Sequence, residues 1–218
     1  MISGANRITH RWNEFDWFVG MNFTVAKNWN AGVQFIQFLS PPGNFKAESN
    51  IQFSLAYNDS KSGWPIALNP YVKWFYAAAG DSTVVVGKKG DTYDVELGIV
   101  PTYVIKTDNR SITLTAPTWI TVGPTTYWND GATGCGALST SPCSKSNEGV
   151  FSTGLEARMP LDFIPRAYGN WYVKGGVQYY HIINDSLLLA QTFVGTAPSY
   201  ADAHRDVAVG FGGIGFSW

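Results

Sequence analysis

Charge is scarce in this sequence of 218 residues. Asp, Glu, Lys and Arg make up 14% of it, and the formal net charge is −1, whereas typical soluble domains carry roughly 25% charged residues. This balance gives none of the basic surface that binds nucleic acid, which we exclude as a partner. Long apolar runs are also missing, and none approaches the roughly 18 residues of a membrane-spanning helix.

Residues that carry chemistry are equally sparse. The three histidines, His10, His181 and His204, are scattered without the clustered spacing of a metal site. His181 precedes Ser186 closely, but a histidine in such a place is more often solvated than catalytic. The sequence contains no G-x-S-x-G, phosphate loop or dinucleotide fingerprint. We therefore expect no enzyme activity, no catalytic residues, no metal and no cofactor.

Aromatic residues are abundant, with nine Trp, eleven Tyr and thirteen Phe, and the apolar positions recur with period two. In TYDVELGIVPTYVI, residues 92–105, one face is apolar and the other carries Thr92, Asp94 and Glu96. Segments 14–27, 47–58 and 149–163 alternate in the same way. Period two is the signature of a β-strand with one apolar and one polar face.

The pattern predicts nine strands, most of them ten to fourteen residues long. Ordinary strands have about 5–6 residues, whereas strands that cross a bilayer need roughly 9–11. Pro101, Pro117 and Pro160 lie inside predicted strands and remove hydrogen-bond donors. The alternation changes phase near Ile36 and again after Phe211, where a bulge is expected at residues 212–213. The predicted strands are 14–27, 31–40, 47–58, 68–79, 92–105, 111–124, 149–163, 170–182 and 205–218.

The connections alternate between short and long along the chain. Short ones such as NWN and KTDNRS alternate with longer segments at 80–91, 125–148 and 183–204. Short turns at one rim and long loops at the other are typical of a transmembrane β-barrel. We therefore predict an all-β fold, an antiparallel up-and-down transmembrane β-barrel, formed as a single domain by residues 1–218.

The chain ends in GIGFSW, with Ile214, Phe216 and Trp218 at alternate positions. This ending resembles the C-terminal assembly signal of bacterial outer-membrane β-barrels of the porin-like type. The resemblance implies the bacterial outer membrane as location, with outer-membrane lipid and the barrel-assembly machinery as partners. In this arrangement Trp29, Trp171 and Trp218 fall near one membrane interface and Trp12 and Trp128 near the other, as in an aromatic girdle.

Two features depart from the family pattern. The first residues, MISGANRITHRW, do not have the charged and apolar regions of a signal peptide. Nine strands is an odd number, whereas single-chain bacterial barrels have an even number. We therefore expect the chain to be incomplete at its N-terminus, with 10–12 strands in the intact protein.

The two cysteines, Cys135 and Cys143, lie in the longest predicted outer loop. A disulfide between them would form in an oxidising periplasm and restrain that loop. Two free structural thiols are the alternative.

Charged residues on the polar face of the strands are costly in lipid, so in a barrel they face the lumen. One interpretation is a salt-bridged plug that fills a narrow barrel, in which Arg158 and Lys174 on neighbouring strands pair with Glu156 or Glu96. The other is a water-filled channel in which the excess of acids favours cations. The lumen-lining candidates are Glu14, Asp16, Glu48, Lys73, Asp94, Glu96, Glu156, Arg158 and Lys174, to which the same pattern adds Asp162.

Three functions follow from these interpretations. The first is a porin-like channel for passive diffusion of small hydrophilic solutes or ions. The second is a non-conducting structural or adhesive barrel that acts through its extracellular loops. The third is a soluble ligand-binding barrel of the lipocalin or streptavidin sort, which the long strands and the apolar chain end argue against.

Overall fold

The protein is an all-β, antiparallel, up-and-down sheet. The computed structural model describes residues 15–39, 47–79, 81–82, 88–89, 92–107, 111–128, 146–188 and 202–217. The strands are β1 (Phe15–Ala26), β2 (Trp29–Leu39), β3 (Glu48–Tyr57), β4 (Tyr71–Ala79), β5 (Asp81–Ser82), β6 (Lys88–Lys89), β7 (Thr92–Ile99), β8 (Thr102–Lys106), β9 (Ser111–Thr115), β10 (Thr118–Val122), β11 (Glu148–Pro160), β12 (Asn170–Ile182) and β13 (Asp206–Ser217).

One large sheet contains all of these strands except β5 and β6, which form a separate hairpin. Its order is β1-β2-β3-β4-β7-β10-β11-β12-β13, and β8 pairs with β9, which in turn pairs with β11. Helical structure among the described residues is limited to α1 (Thr125–Trp128), a 3₁₀ turn (Arg166–Tyr168), one helical turn at 185–188 and a 3₁₀ position at residue 202. No helix in the described part of the chain is long and apolar enough to cross a bilayer.

The predicted fold class is confirmed. All nine predicted strands are present, and most of their ends agree within one or two residues. The largest difference at a strand start is in β4, which begins at Tyr71 rather than at 68, because the preceding segment makes only an isolated bridge between Ala67 and Thr102. Period-two alternation located the strands because it reflects their two different environments.

Proline interrupts two of the long strands. The strand predicted at 92–105 is divided at Pro101 into β7 and β8, and the strand predicted at 111–124 is divided at Pro117 into β9 and β10. Proline has no backbone N–H to give to the ladder. The two interruptions lie side by side, since the Ala116 N–H donates to the Pro101 carbonyl at 2.9 Å. Pro160 ends β11 rather than lying inside it.

The prediction of a bulge at residues 212–213 is wrong. Pairing between β12 and β13 runs without a shift from Asn170 opposite Ser217 to His181 opposite Asp206. Pairing of β2 also continues without a shift through Ile36. In both strands it is the chemistry of the two faces that changes, while the backbone register is maintained. Phe211 therefore lies on the same face as Lys174, and its ring packs beside Gly176.

The sheet is open among the described residues. β1 pairs only with β2, and β13 pairs only with β12. Because every pairing is antiparallel across nine lateral positions, β1 and β13 run in the same direction. The closure expected of a barrel is thus not formed by direct pairing of these two strands.

The two ends of the strands differ. We call the end with the connections at 27–28, 58–70, 107–110 and 161–169 the turn rim, and the opposite end the loop rim. At the turn rim Asn28 turns the chain from β1 into β2 with φ 67°. The longer connection at 58–70 is closed by Asp59, whose carboxylate accepts the backbone N–H groups of Leu68 at 3.0 Å and Asn69 at 2.9 Å.

The Asp59 contacts predict a pH-dependent loop. The hydrogen bond from the Asn69 N–H holds the pKa of Asp59 below its ordinary value of 3.8. Its stabilisation of the loop is therefore complete above the ordinary pKa and is lost as the pH falls through the lowered one. We expect amide-exchange protection at Leu68 and Asn69 to decrease over that range, after correction for intrinsic rates. Asp59→Asn should remove the pH dependence, and a wild-type protection that stays constant would contradict this account.

Candidate functional site

The continuous register sorts the side chains of the sheet into two faces. The first, the apolar face, includes Phe53, Leu97 and Leu155, which are 44%, 46% and 54% exposed. Cross-strand pairs such as Val33 with Phe53 and Leu97 with Ile120 continue it from strand to strand. Val95 and Ile99 lie on this face too. A broad surface of large apolar side chains therefore remains uncovered by the described residues.

The opposite face, which we call the polar face, holds the charged residues that alternation selected. Glu14 lies outside the described residues. Asp162 lies in the turn after β11 and is exposed, so it does not belong to this face. The predicted residues that share the polar face are Asp16, Glu48, Lys73, Asp94, Glu96, Glu156, Arg158 and Lys174.

Near the middle of the polar face, Lys73 and Glu96 form an ion pair. They lie directly opposite each other on β4 and β7, and Lys73 Nζ is 2.7 Å from Glu96 Oε1. The Tyr71 hydroxyl donates to the same oxygen at 2.7 Å. Gly98, opposite Tyr71, leaves the space that this ring occupies. The carboxylate of Glu96 is thus compensated by a cation and a hydroxyl.

A second group of charges lies on β11 and β12. Lys174 Nζ is 3.2 Å from Glu156 Oε2, the pair that the spacing of neighbouring strands predicts. Arg158 lies opposite Lys174 and stacks on the Tyr172 ring, with its guanidinium carbon 3.5 Å from the ring centroid. Such stacking is a favourable cation–π contact. Two of the predicted acids, Glu96 and Glu156, are therefore neutralised by lysines.

At the loop rim, Tyr127 and Trp128 of α1 are buried over the polar face. Glu48, Asn50, Thr92 and Asp94 are buried there as well. The Asn50 side-chain amide donates to Glu48 Oε1 at 2.7 Å. Burial raises the pKa of Tyr127 well above its ordinary range, and the neighbouring Asp94 carboxylate, to which its hydroxyl donates, adds to this effect. The end of the polar face on β3 and β7 is thus covered rather than open.

Backbone carbonyls of neighbouring loop segments hold this cover in place. Trp128 Nε1 donates to the Asn147 carbonyl at 2.9 Å. Asn184, fully buried, donates from its amide to the carbonyls of Ser146 at 3.1 Å and Glu148 at 3.2 Å. A side chain at Gly149 would collide with the Trp128 ring. The alternation in the sequence does not predict this cover, and the local signal for it is the pair of glycines that flank the loop, Gly123 and Gly149.

The tryptophans that were predicted to form an aromatic girdle lie in two different environments. Trp29 and Trp171 lie at the turn rim on the apolar face, beside Tyr57 and Phe216 at centroid distances of 5.0 and 4.9 Å. Trp128 is buried over the polar face, so its assignment to the opposite girdle is wrong. Trp12 and Trp218 lie outside the described residues.

The other predicted residues fall into two groups. Ile214 and Phe216 are exposed on the apolar face of β13. Cys135 and Cys143 lie outside the described residues, so the disulfide stays a prediction.

Polar contacts mark the loop-rim boundary of the apolar face. Trp17 Nε1 donates to Gln37 Oε1 at 2.9 Å, and the Gln37 amide donates to Ser49 at 3.2 Å. On the same face but at the opposite lateral end of the sheet, Asp206 Oδ1 lies 2.7 Å from His181 Nδ1. His181 is therefore engaged with a carboxylate. Among the described residues no group of His, Cys, Asp or Glu is arranged to hold a metal ion.

The arrangement offers charge compensation and hydrogen bonding, without an assembled nucleophile or metal site in the described part of the chain. The chain matches no protein-family model, and comparisons with curated proteins and with solved structures find no significant match.

The two ion pairs should differ in strength. Lys73 and Glu96 are 33% and 12% exposed, whereas Lys174 and Glu156 are 41% and 23% exposed. Exposed pairs contribute about 0.2–1 kcal/mol. In double-mutant cycles measured by urea unfolding in lipid vesicles, we expect a coupling of about 1–3 kcal/mol for Lys73→Met with Glu96→Gln. Lys174→Met with Glu156→Gln serves as the matched comparison. Equal couplings would contradict the role assigned to burial of Glu96.

Proposed function

We propose that the chain forms a bacterial outer-membrane β-barrel of the porin-like type that lets small hydrophilic solutes or ions cross. The observation that carries this proposal is the exposed apolar face. Soluble monomers rarely expose contiguous apolar patches larger than a few hundred Å², whereas here such residues occur from β1 to β13. Lipid is the partner that covers an apolar surface of this extent.

Strand length and the rims support the same proposal. β11 and β12 each have 13 residues, more than the roughly 9–11 that a tilted strand needs to cross the hydrocarbon region. Trp29 and Trp171 at the turn rim carry a ring with a polar N–H, which suits the membrane interface. Tyr179 and His181 with Asp206 provide a polar boundary at the loop rim.

Closure of the barrel requires strands beyond the nine positions described. β1 and β13 run in the same direction, so an all-antiparallel closure needs an odd number of additional strands between them. One or three such strands give a barrel of 10 or 12 strands, within the range predicted from the sequence. The barrel-assembly machinery and a disulfide between Cys135 and Cys143 belong to the same proposal.

A non-conducting barrel that acts through its outer loops is the second candidate. It is favoured by Tyr127 and Trp128, which cover the polar face at the loop rim, and by the ion pairs that occupy its middle. Measurement of conductance in planar bilayers distinguishes the two candidates, since only the channel passes ions.

The apolar face gives a direct test of membrane insertion. Leu97 lies near the middle of the chain segment formed by β7 and β8, so Leu97→Arg would place a charge in lipid and should cost about 2–4 kcal/mol. Thr115→Arg is the matched control, because Thr115 lies on the polar face opposite Glu156. Folding stability is measured in lipid vesicles. Equal stabilities of the two variants would refute the assignment of the faces.

The polar face gives a test of conduction. Glu96→Gln combined with Glu156→Gln removes two carboxylates and leaves the cations of Lys73 and Lys174 uncompensated. We expect the reversal potential under a salt gradient to shift toward anion preference. Lys27→Gln, in the turn between β1 and β2 and outside the strands, is the control. Absence of conductance in the wild type would favour the non-conducting barrel.

A further inference from the structure

The middle of the polar face on β1, β2 and β3, away from Asp16 and Glu48 near the loop rim, carries no charged side chain. A groove of about 140 Å³ follows these three strands, and its polar side chains are Asn22, Gln34, Gln52 and Ser54. Phe18 lies at one side and is 70% exposed. The ion pairs of the polar face lie on β4, β7, β11 and β12, so the groove is chemically distinct from the rest of this face.

Two glycines form the floor of the groove. A Cβ atom at Gly32 would lie 2.6 Å from both Asn22 Oδ1 and Ser54 Oγ, and one at Gly20 would lie 2.6 Å from the Val33 carbonyl oxygen. Real Cβ atoms do not approach other atoms so closely. The Asn22 and Ser54 side chains therefore converge over Gly32, in space that any larger residue would fill.

The groove side chains have unused hydrogen-bonding capacity. Within the described part of the chain, Asn22, Gln34, Gln52 and Ser54 make no side-chain hydrogen bond. Amides elsewhere in the same sheet are engaged. Gln178 donates to Ser152 at 2.6 Å, and Gln37 bridges Trp17 and Ser49.

This combination points to the class of solute. Resting on the channel function proposed above, we propose that the groove binds one ring of an uncharged polyhydroxylated solute, that is, a sugar. Asn and Gln offer both donors and acceptors, as the hydroxyls of a sugar require. A six-membered ring suits the volume, since an apolar cavity of about 150 Å³ holds benzene. The exposed Phe18 ring offers a flat apolar surface to the C–H face of such a ring, and a charged solute finds no counter-charge among these side chains.

Equilibrium binding tests the groove independently of transport. Glucose, glucosamine and glucuronate are titrated calorimetrically into the full chain in detergent, as neutral, cationic and anionic rings of similar size. We expect glucose to bind best, and Asn22→Ala combined with Gln34→Ala to weaken glucose binding about tenfold through the loss of two hydrogen bonds. Gln37→Ala, on the same strand but on the apolar face, should keep the wild-type affinity.

The outcomes distinguish failure of the groove proposal from failure of the channel proposal. Glucose binding that the double variant leaves unchanged, or that is no tighter than glucuronate binding, overturns the groove even if the wild type conducts ions. Glucose binding that the double variant weakens supports the groove, even if planar bilayers show no conductance and the channel function falls. Phe18→Ala provides a further variant that removes no hydrogen bond, and we expect it also to weaken glucose binding.

Discussion

The hydrogen-bonded register between neighbouring strands is the constraint on which the other features of this molecule depend. Side chains alternate between faces with period two, so a shift of one residue would move a whole strand's apolar set to the other side. Shifts occur only near strand ends and in β10, between Ile120 and Val122. The apolar surface, the ion pairs and the neutral groove all follow from a pairing that keeps one parity across the sheet.

Much of the fold was predictable because alternation records burial and exposure residue by residue. The interruptions at Pro101 and Pro117 were also predictable, since a residue without an N–H cannot donate a hydrogen bond to the neighbouring strand. The change in β13, where apolar side chains occur on one face and then on the other, could not be assigned to a continuous strand from the sequence. Val209 and Phe211 carry apolar side chains on the polar face, and only the partner strand determines that the backbone continues unshifted past Gly212.

The polar face was predictable to a smaller degree. Opposite charges on adjacent strands suggested Glu156 with Lys174, because a short connection places β11 beside β12. The pairing of Lys73 with Glu96 was not predicted, because it depends on β4 and β7 being neighbours despite the segment between them. The burial of Glu48 and Asp94 depends on Tyr127 and Trp128, whose loop has no periodicity to interpret. The groove on β1 to β3 was missed because uncharged amides give no electrostatic signal in a sequence.

The common direction of β1 and β13 has a consequence for symmetry. In the membrane barrel proposed above, two copies related by a rotation axis along the membrane normal would keep the same orientation, so β1 of one copy would meet β13 of the other as a parallel pair. A two-fold axis in the membrane plane would give antiparallel edges, but it would place the long loops of the two copies on opposite sides of the membrane. Neither rotation completes an antiparallel barrel from these nine positions with all long loops on one side. In the barrel proposed above, the closing element would therefore differ in sequence from the nine strands described, and the barrel would have a seam that no symmetry operation repeats.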